Sequence, residues 1–344
     1  MINHSSSLGS TSTSGVESAI LLVGGFGTRL APLTHKTPKP MLKVAGIPFT
    51  EHQIVKAREA GIKEIVLATS YLAEVFEPYF GDGEKWGIEI RYAVEEVALG
   101  TGGAIRNAAS MITRGGPVVI FNGDVLSSHS LRGHIDFHQS RSADVSLYLT
   151  EVSDARAFGA VELEGDAIRT FNEKMENPPT NIINAGCYIF NREFIDAIPA
   201  DRVVSVERET FPGLLHHGAS LYGYVDRSYW LDIGTPAALQ NATRDLISGA
   251  AQSDAYELLL RSGSHELRSD SLIATSAQIA TGADIRSGNY IGVDVIVHSG
   301  AELSGCIVLD GAVISAGTKL DSSFIAEKCI VPAATIATSN FLGF

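Results

Sequence analysis

Aliphatic residues recur at every sixth position in the last third of the chain, and this period restricts the possible folds. A period of six matches neither the 3.6 of an α-helix nor the 3.5 of a coiled coil. Small and polar residues fill the positions between, so residues 271–344 are predicted to form a left-handed parallel β-helix of hexapeptide repeats. With two five-residue steps, the repeat passes through Ile273, Ile279, Ile285, Ile291, Val297, Leu303, Val308, Ile314, Leu320, Ile325 and Val331.

Residues 18–248 have a different pattern, in which strand-like apolar runs alternate with helical segments. Short apolar runs at 19–23, 64–68 and 117–121 read as strands. Thr50 and Gln53 have the spacing of a helix capping box, and Gly61 is suited to end that helix. The alternation predicts an α/β fold with a Rossmann-like, mostly parallel sheet and helices on both faces.

The remaining segments suggest a two-domain chain without targeting signals. Residues 249–270 lack the repeat and are predicted to be a linker or helical. Residues 1–17 are rich in Ser and Thr and lack the basic start and apolar stretch of a signal peptide, so we expect a disordered tail. No segment is long enough to span a membrane. The three cysteines, Cys187, Cys306 and Cys329, have no metal-ligand spacing. They read as reduced buried thiols, and a cytoplasmic location is expected.

A glycine-rich segment without acidic residues stands out, because the chain has a formal net charge of −13. No Asp or Glu occurs between Ser18 and Thr50. Glycines without Cβ atoms let several backbone N–H groups point at one anion. The segment therefore predicts a site for a polyanion such as a triphosphate, while the acidic remainder disfavours nucleic acid. The glycines are Gly24, Gly25 and Gly27, and the cations are Arg29, Lys36, Lys39 and Lys43.

Two common nucleotide-binding motifs do not fit this segment. The dinucleotide fingerprint requires a glycine where Leu30 stands, and the P-loop requires a Gly-Lys-Ser/Thr sequence that is absent. A glycine-rich turn with scattered surface cations remains the simpler alternative.

Two aspartates follow apolar segments and precede turns, as expected of metal ligands at strand ends. Asp124 lies in Phe121-Asn122-Gly123-Asp124, and Asp232 lies in Trp230-Leu231-Asp232-Ile233. Mg²⁺ prefers carboxylate, phosphate and water oxygens, and ligands of open α/β sheets gather at the carboxyl ends of strands. Each aspartate taken alone is equally consistent with a turn or a helix cap.

The run Gly-Gly-Phe-Gly-Thr-Arg-Leu at 24–30, followed by Pro38-Lys39-Pro40, resembles the N-terminal motif of sugar-phosphate nucleotidylyltransferases, in particular mannose-1-phosphate guanylyltransferases. Ala31 departs from the motif, since many members have arginine there. The resemblance implies a catalytic domain at 18–248 that transfers GMP from GTP to mannose 1-phosphate by Mg²⁺-assisted in-line displacement. It implies catalytic roles for Arg29, Lys39 and Lys174, Mg²⁺ ligands Asp124 and Asp232, and nucleotide contacts from Leu22, Gly24, Gly25, Gly27, Thr28, Glu95, Gly100 and Thr101.

Glu95 bears on the choice of base, because relatives read the base in the segment 94–103. Guanine presents two adjacent donors that one carboxylate can accept, whereas uracil and thymine suit an amide or backbone groups. Glu95 therefore favours guanine. The alternative is that Glu95 and Glu96 form a solvated pair at a strand end.

The segment Phe171-Asn172-Glu173-Lys174 resembles the family motif that holds the sugar 1-phosphate. By this resemblance Lys174 contacts the phosphate, while Glu173, Gly159 and Asn184 contact the sugar. Met175 replaces the usual proline. A segment at 205–212 also matches, and its Glu207 or Arg208 is expected to help shape the pocket.

Several alternatives remain open at this stage. The same chemistry could serve heptose 1-phosphate with GTP, or glucose 1-phosphate with UTP or dTTP. Some members of the superfamily are non-catalytic regulatory partners, and some hexapeptide-repeat proteins are acyltransferases that use a histidine, for which His298 is the candidate. A stacked β-helix has open ends that favour a homo-oligomer.

Overall fold

The computed structural model describes residues 15–344, with the exception of positions 26, 71, 72, 96 and 201. The predicted disordered tail therefore lies outside the described residues as far as position 14. Phe26 of the glycine segment and Glu96 of the base segment also lie outside them.

The first two thirds of the chain form an α/β unit, as the alternating pattern predicted. No helix in the described ranges combines the length and the apolar character needed to cross a bilayer. The elements are β1 (Ser18–Leu22), β2 (Lys43–Val44), β3 (Ile47–Pro48), α1 (Phe49–Glu59), β4 (Glu64–Thr69), α2 (Glu77–Phe80), β5 (Glu89–Val94), α3 (Gly100–Ala109), β6 (Val118–Asn122), β7 (Val125–Ser127), α4 (Leu131–Ser140), β8 (Val145–Glu151), β9 (Gly159–Glu164), β10 (Ala167–Glu173), β11 (Ile182–Phe190), α5 (Arg192–Asp196), a π-helical turn (Val206–Thr210), α6 (Phe211–His216), β12 (Leu221–Val225), β13 (Trp230–Asp232), α7 (Pro236–Ile247) and α8 (Asp254–Arg261).

The central sheet has nine strands in the order β5-β4-β1-β6-β11-β8-β12-β10-β9. The block β5-β4-β1-β6 is parallel, as is the pair β8-β12. The strand β11 runs antiparallel to β6, β8 and β9, and β10 runs antiparallel to β9 and β12. The sheet is therefore mixed, and the prediction of a mostly parallel sheet is wrong for its second half. The turn between β9 and β10 is too short for a crossover, and such a turn forces an antiparallel pair.

Helices cover both faces of this sheet, as predicted. Along β1 the side chains alternate, so Ala19 and Leu21 join one hydrophobic cluster and Ile20 joins the other. The first cluster packs against α1, α7 and α8, and the second against α3 and α6. Because parallel strands are covered on both faces, their sequences read as continuous apolar runs.

The predicted capping box at the start of α1 is wrong. The residue before the helix is Pro48, and no side chain caps this end. Thr50 Oγ1 instead donates to the Pro40 carbonyl oxygen at 2.8 Å, and Gln53 Nε2 donates to the Asn122 carbonyl oxygen at 2.7 Å. Both side chains bind loops next to the sheet edge, so tertiary contacts have replaced the local cap.

The last part of the chain consists of short strands in three sheets whose pairs are parallel, apart from the edge strand β14. In each sheet a strand pairs with the third strand after it, 17 or 18 residues further on. The aliphatic repeat faces inward, with Ile279 and Ile285 of the first turn only partly buried, and His298 is exposed. The strands are β14 (His265–Arg268), β15 (Ser271–Ala274), β16 (Gln278–Ile279), β17 (Asp284–Ile285), β18 (Tyr290–Ile291), β19 (Ile296–Val297), β20 (Glu302–Ser304), β21 (Ile307–Val308), β22 (Val313–Ile314), β23 (Lys319–Asp321), β24 (Phe324–Ile325), β25 (Ile330–Val331), β26 (Ile336–Thr338) and β27 (Phe341–Leu342).

Glu64 at the start of β4 is a buried carboxylate at the amino ends of the parallel strands, opposite the glycine loop. Its hydrogen bonds connect the elements that meet there. Its side chain is 0% exposed and accepts hydrogen bonds from Ser18 Oγ at 2.8 Å and Arg91 Nη1 at 2.6 Å. The Arg114 N–H at 2.8 Å, the Thr113 hydroxyl at 2.9 Å and the Thr113 N–H at 3.2 Å also donate to it. Burial alone would raise the pKa of Glu64, but these hydrogen bonds outweigh burial and lower the pKa to about 2.

We predict that Glu64→Gln lowers the free energy of unfolding by about 3 kcal/mol at pH 7, because the lowered pKa represents stability of that size. A lowered folded-state pKa contributes stability above the unfolded pKa, and this stability disappears as the pH falls from about 4.5 towards 2. Urea unfolding at several pH values measures both effects. The variant should lack this acid-dependent component, and Glu89→Gln, which removes an exposed partner of Arg91, should change stability by less than about 1 kcal/mol. Equal losses in both variants would contradict the prediction.

Candidate active site

The glycine segment begins where β1 ends, at the carboxyl edge of the parallel strands. Gly27 has a left-handed backbone, with φ of +60°, before a short 3₁₀ turn at Thr28–Leu30. A Cβ atom on Gly27 would lie 2.8 Å from Lys39 Cβ and 3.1 Å from Thr34 Cγ2. The Thr34 hydroxyl also donates to the Gly27 carbonyl oxygen at 3.1 Å. The absence of a side chain at Gly27 therefore lets the loop pack directly against the segment that carries Lys39.

Lys39 forms an ion pair with Asp124 across 85 residues of sequence, with Nζ 2.8 Å from Oδ2. The lysine lies in a 3₁₀ turn that Pro38 and Pro40 constrain, and its side chain is mostly buried. Asp124 follows β6, and its neighbour Gly123 donates its N–H to the Leu22 carbonyl oxygen at 3.0 Å. Backbone contacts at the ends of β1 and β6 thus place a cation and a carboxylate beside the glycine loop.

Asp232 is brought to Asp124 by the antiparallel pair of β7 and β13. The Ile233 N–H donates to the Asp124 carbonyl oxygen at 2.8 Å. Among the described residues, the buried Oδ1 of Asp232 has no hydrogen-bond partner. Burial raises the pKa of Asp232, Asp124 raises it further, and Lys39, Arg29 and Lys174 act in the opposite direction. An unpaired carboxylate oxygen next to a second carboxylate fits the oxygen ligands that a hard divalent cation prefers.

Arg29 lies beside this pair of carboxylates. A Cβ atom placed on Gly234 would lie 2.9 Å from Arg29 Nη2. The same Cβ would lie 3.2 Å from Asp232 Oδ1, so the guanidinium and this carboxylate both border Gly234. Arg29 is otherwise exposed, as is Thr28. The site therefore combines two acids with cations that remain available to an anionic ligand.

A cavity of about 570 Å³ opens at this edge of the sheet. It brings together most of the predicted nucleotide contacts with Lys39 and Asp124. The predicted residues outside its lining are the sugar residues and Gly27, Thr28, Arg29, Lys174 and Asp232. Ser70 and Asn122 were not predicted. Asn122 directly follows the predicted strand 117–121, and Ser70 lies two residues beyond the predicted strand 64–68, so the strand-end rule could have identified both. The lining comprises Leu22, Gly24, Gly25, Lys39, Pro40, Ala68, Ser70, Glu95, Ala98, Gly100, Thr101, Ala104, Asn122, Gly123 and Asp124.

Glu95 lies in the cavity wall just after β5. Its N–H donates to the Thr69 carbonyl oxygen at 2.9 Å, and its Oε2 accepts the Leu99 N–H at 3.2 Å. Burial raises the pKa of Glu95, and the Leu99 N–H lowers it in part. Among the described residues, Oε1 has no hydrogen-bond partner and Oε2 accepts only the Leu99 N–H, so both oxygens have a lone pair left for the donors of a base edge.

The start of α3 is clamped by the segment that precedes α6. The Gly102 N–H donates to the Val204 carbonyl oxygen at 2.8 Å, and the Val204 N–H donates to the Leu99 carbonyl oxygen at 2.9 Å. Thr101 Oγ1 donates to Glu207 Oε2 at 2.8 Å and accepts the Val206 N–H at 2.9 Å. Glu207 therefore fixes Thr101 in the cavity wall.

Two of the predicted sugar-binding residues, Gly159 and Glu173, meet at the end of β10. Gly159 pairs with Glu173, and a Cβ on Gly159 would lie 3.0 Å from Glu173 Oε2. Burial raises the pKa of Glu173, while the exposed Lys174, with Nζ 3.4 Å from Glu173 Oε1, lowers it. Lys174 itself has φ of +52°, a strained conformation for a side chain of this kind.

Asn184 is fixed by two hydrogen bonds. Its Nδ2 donates to the Tyr188 hydroxyl at 2.8 Å, and its Oδ1 accepts the Gly186 N–H at 3.1 Å. A Cβ on Gly186 would lie 3.1 Å from Asn122 Nδ2, so this turn packs against the cavity wall. These two bonds fix the orientation of the Asn184 amide.

We predict that Gly27→Ala lowers the free energy of unfolding by about 1–3 kcal/mol, through its left-handed backbone and its contact with Lys39. Gly25→Ala is the matched control, because a Cβ there meets nothing within 4 Å. Urea unfolding without ligand compares the two variants. Equal stabilities would show that the approach of Gly27 to Lys39 is not close in solution.

Comparison with known proteins agrees with this geometry. Residues 18–249 match the nucleotidyl transferase family. The chain is 46% identical over 305 residues to the mannose-1-phosphate guanylyltransferase of Mycobacterium tuberculosis, covering 88% of this chain and 82% of that protein. It is 35% identical over 318 residues to mannose-1-phosphate guanylyltransferase 1 of Arabidopsis thaliana, with coverages of 89% and 85%.

Two solved structures resemble this chain in fold. HddC from Yersinia pseudotuberculosis complexed with GMP-PN has a TM-score of 0.57 and 27% identity, covering 67% of this chain and 100% of that one. A putative glucose-1-phosphate thymidylyltransferase from Bacillus anthracis has a TM-score of 0.61 at 24% identity, covering 66% of this chain and 94% of its own, and shares the fold. Nucleotidyltransferases of this family generally use a divalent metal, which fits the paired carboxylates. The chain therefore belongs to the nucleotidyl transferase family and is a sugar-phosphate nucleotidylyltransferase of the type that these relatives represent.

Proposed function

We propose that this enzyme transfers GMP from GTP to mannose 1-phosphate, forming GDP-mannose and releasing pyrophosphate. The observation that carries the proposal is the single cavity that joins the glycine loop, Glu95 and the Lys39–Asp124 pair. The names of relatives from bacteria, plants and fungi support the choice of sugar and nucleotide.

We assign the divalent metal as Mg²⁺ and its protein ligands as Asp124 and Asp232. The unpaired Oδ1 of Asp232 supports this assignment, because a buried carboxylate oxygen without a partner is costly unless a ligand satisfies it. Bound there, Mg²⁺ would neutralise part of the triphosphate charge. Asp124 would then give up its ion pair, which frees Lys39 for a phosphate oxygen.

In this mechanism an oxygen of mannose 1-phosphate attacks the α-phosphorus of GTP. The new P–O bond forms in line with the bond to the β-phosphate, which breaks and releases pyrophosphate. The attacking oxygen is already an anion, so no general base is needed and catalysis consists of positioning and charge neutralisation. Arg29 and Lys39 hold the triphosphate, and Lys174 holds the acceptor phosphate.

Backbone and base contacts orient the nucleotide. Leu22, Gly24, Gly25, Gly27 and Thr28 surround the triphosphate, and the half-buried Glu95 accepts the two donors of guanine. Gly100 and Thr101 at the start of α3 lie beside the base. On the acceptor side, Glu173 binds sugar hydroxyls, and the Gly159 backbone and the Asn184 amide contact the sugar.

We infer that the C-terminal strands form a left-handed parallel β-helix over 271–344, which follows a catalytic domain at 18–248 and a linker at 249–270. The pairing of each short strand with one 17 or 18 residues later supports repeated coils. Exposed Ile330 and Ile336 near the last coil support a homo-oligomer through this region. Three free cysteines support a cytoplasmic location.

We predict that pyrophosphate release with mannose 1-phosphate is at least about a hundredfold faster with GTP than with UTP or dTTP. Glu95→Gln should reduce this preference to about tenfold or less, because an amide cannot accept both donors of guanine. The exposed Glu164→Gln is the control and should keep the preference. Activity with UTP or dTTP alone would overturn the assignment of both base and sugar. No activity with any nucleotide would require heptose and glucose 1-phosphates as acceptors before a regulatory role is considered.

We predict that Asp124→Asn lowers kcat by about a thousandfold or more, since the variant loses charge at the metal site. Circular dichroism should show an intact fold. Asp166→Asn, which removes an exposed partner of Arg141, is the control and should retain full activity. Rates within a few fold of wild type in Asp124→Asn would refute the role of this aspartate.

A further inference from the structure

The cavity lining contains a serine whose hydroxyl binds the backbone of the glycine loop. Ser70 directly follows β4, and its Oγ donates to the Gly24 carbonyl oxygen at 2.6 Å. A Cβ atom on Gly24 would lie only 2.6 Å from the same Oγ. A side chain at position 24 would therefore push the hydroxyl away from the carbonyl oxygen, so Gly24 and Ser70 fit each other.

This bond lies on the opposite side from the one that a continued strand would use. In a central strand the backbone groups of successive residues point alternately to the two neighbouring strands. The Val23 N–H donates to the Ala68 carbonyl oxygen of β4 at 3.0 Å, so the backbone groups of Gly24 would next point towards β6. The Gly24 carbonyl oxygen instead binds Ser70, beside β4. The chain therefore turns at Gly24, and Ser70 holds the turned carbonyl group.

The direction of the Gly24 carbonyl group also sets the direction of the next backbone N–H. Gly24 and Gly25 are joined by a trans peptide, whose C=O and N–H groups point in opposite directions. With the oxygen held beside β4, the Gly25 N–H is directed to the β6 side of β1. Asp124 and its ion pair with Lys39 lie on that side, where the triphosphate charge would be held. In this orientation Gly25 offers a donor to the phosphates.

Two consecutive glycines make this peptide easy to invert. Glycine adopts φ values of either sign at little cost. Gly25 is exposed, and a Cβ there would meet nothing within 4 Å, so packing does not fix it. An inverted peptide would present its carbonyl oxygen to the phosphates and withdraw the N–H donor, and the two negative groups would then repel each other. Some other contact must hold the peptide in the orientation that binds an anion.

The Ser70 hydroxyl supplies this contact. Among the described residues, it is the one side-chain group that hydrogen-bonds to the peptide between Gly24 and Gly25. The end of β4 holds the serine in place, since the neighbouring Thr69 carbonyl oxygen accepts the Glu95 N–H at 2.9 Å. Inversion of the peptide would break the bond to Ser70. The bond therefore favours the binding orientation by one hydrogen bond, which corresponds to a factor of about 3–10.

We propose that Ser70 is a positioning residue, which locks the Gly24–Gly25 peptide with its N–H directed at the triphosphate. The proposal rests on the assignment of GTP to this cavity, and it adds a residue that touches neither the reacting atoms nor the metal. Ser70 acts on the free enzyme, because it raises the fraction of molecules whose loop is ready to bind. The apparent affinity for the triphosphate is proportional to that fraction, whereas the affinity for a nucleoside without phosphates does not depend on it.

The test compares the full-length wild-type protein with Ser70→Ala. Calorimetry with Mg²⁺ present should show that the variant binds GTP about threefold to tenfold more weakly, whereas its affinity for guanosine changes by less than about twofold. In pyrophosphate-release assays KM for GTP should rise by the same factor, while kcat and KM for mannose 1-phosphate stay within about twofold. Ser262→Ala is the matched control, because the exposed Ser262 donates to the Leu259 carbonyl oxygen, also at 2.6 Å, after α8. It should leave every value unchanged.

Gly24→Ala tests the same bond with the serine retained, because the added Cβ displaces the hydroxyl. It should show the same selective loss of GTP affinity, which keeps the proposal testable if circular dichroism shows that Ser70→Ala does not fold. Unchanged GTP affinity in folded Ser70→Ala would overturn the proposal, and so would an equal loss of affinity for guanosine. Wild-type protein that does not bind GTP would overturn the proposed function and this inference together, whereas failure of the lock alone leaves GTP binding by the wild-type protein intact.

Discussion

The site depends on holding two carboxylates close together at the carboxyl edge of the sheet. Like charges at short range repel each other, and burial of Asp232 adds to the cost. Main-chain hydrogen bonds hold the two acids together in spite of this repulsion. The three-residue strands β7 and β13 pair, and next to them the Ile233 N–H donates to the Asp124 carbonyl oxygen. Lys39 neutralises one acid, and Arg29 lies beside the other. The carboxylate charge of Asp232 is not fully compensated by these side chains. A metal cation would compensate it and could bind a polyanion at the same time.

Two close backbone contacts at glycines fix the positions of the segments that form the site. A Cβ on Gly123 would lie 2.3 Å from the Leu22 carbonyl oxygen, and a Cβ on Gly100 would lie 2.5 Å from the Val204 carbonyl oxygen. No other residue fits at either point without moving the main chain. The first contact joins β1 to the loop of Asp124, and the second joins the base segment to the segment of Glu207. The same glycines that mark the motifs in the sequence therefore set the distances of the site.

The strand-end rule predicted that the glycine loop and Asp124 lie together, because strand ends are readable from apolar runs, and both line one cavity. Leu22 and Glu95 line the same cavity, but they were predicted from the resemblance of their motifs to a family. Partners far apart in sequence could not be predicted. Thr50 and Gln53 have a capping pattern, but tertiary acceptors compete for their side chains. The antiparallel β11 was not predicted, because a buried strand reads the same in either direction.

The C-terminal strands also support the catalytic segment. Lys43 lies four residues after Lys39 and pairs with Asp310 at 2.5 Å and Glu327 at 3.1 Å. Burial alone would lower the pKa of Lys43, but these two acids outweigh burial and raise it, so the charge is held in place. Removal of one partner from a half-buried ion pair leaves the other charge without compensation. The resulting loss in the free energy of unfolding is larger than the net stabilisation that the pair provides. Tyr290 packs against Gly46, and Leu272, Ile307 and Phe324 share a hydrophobic cluster with β2 and β3. The strand β2, which directly follows the turn of Lys39, is therefore anchored from the C-terminal side, and separating the two parts of the chain would loosen the site at its central cation.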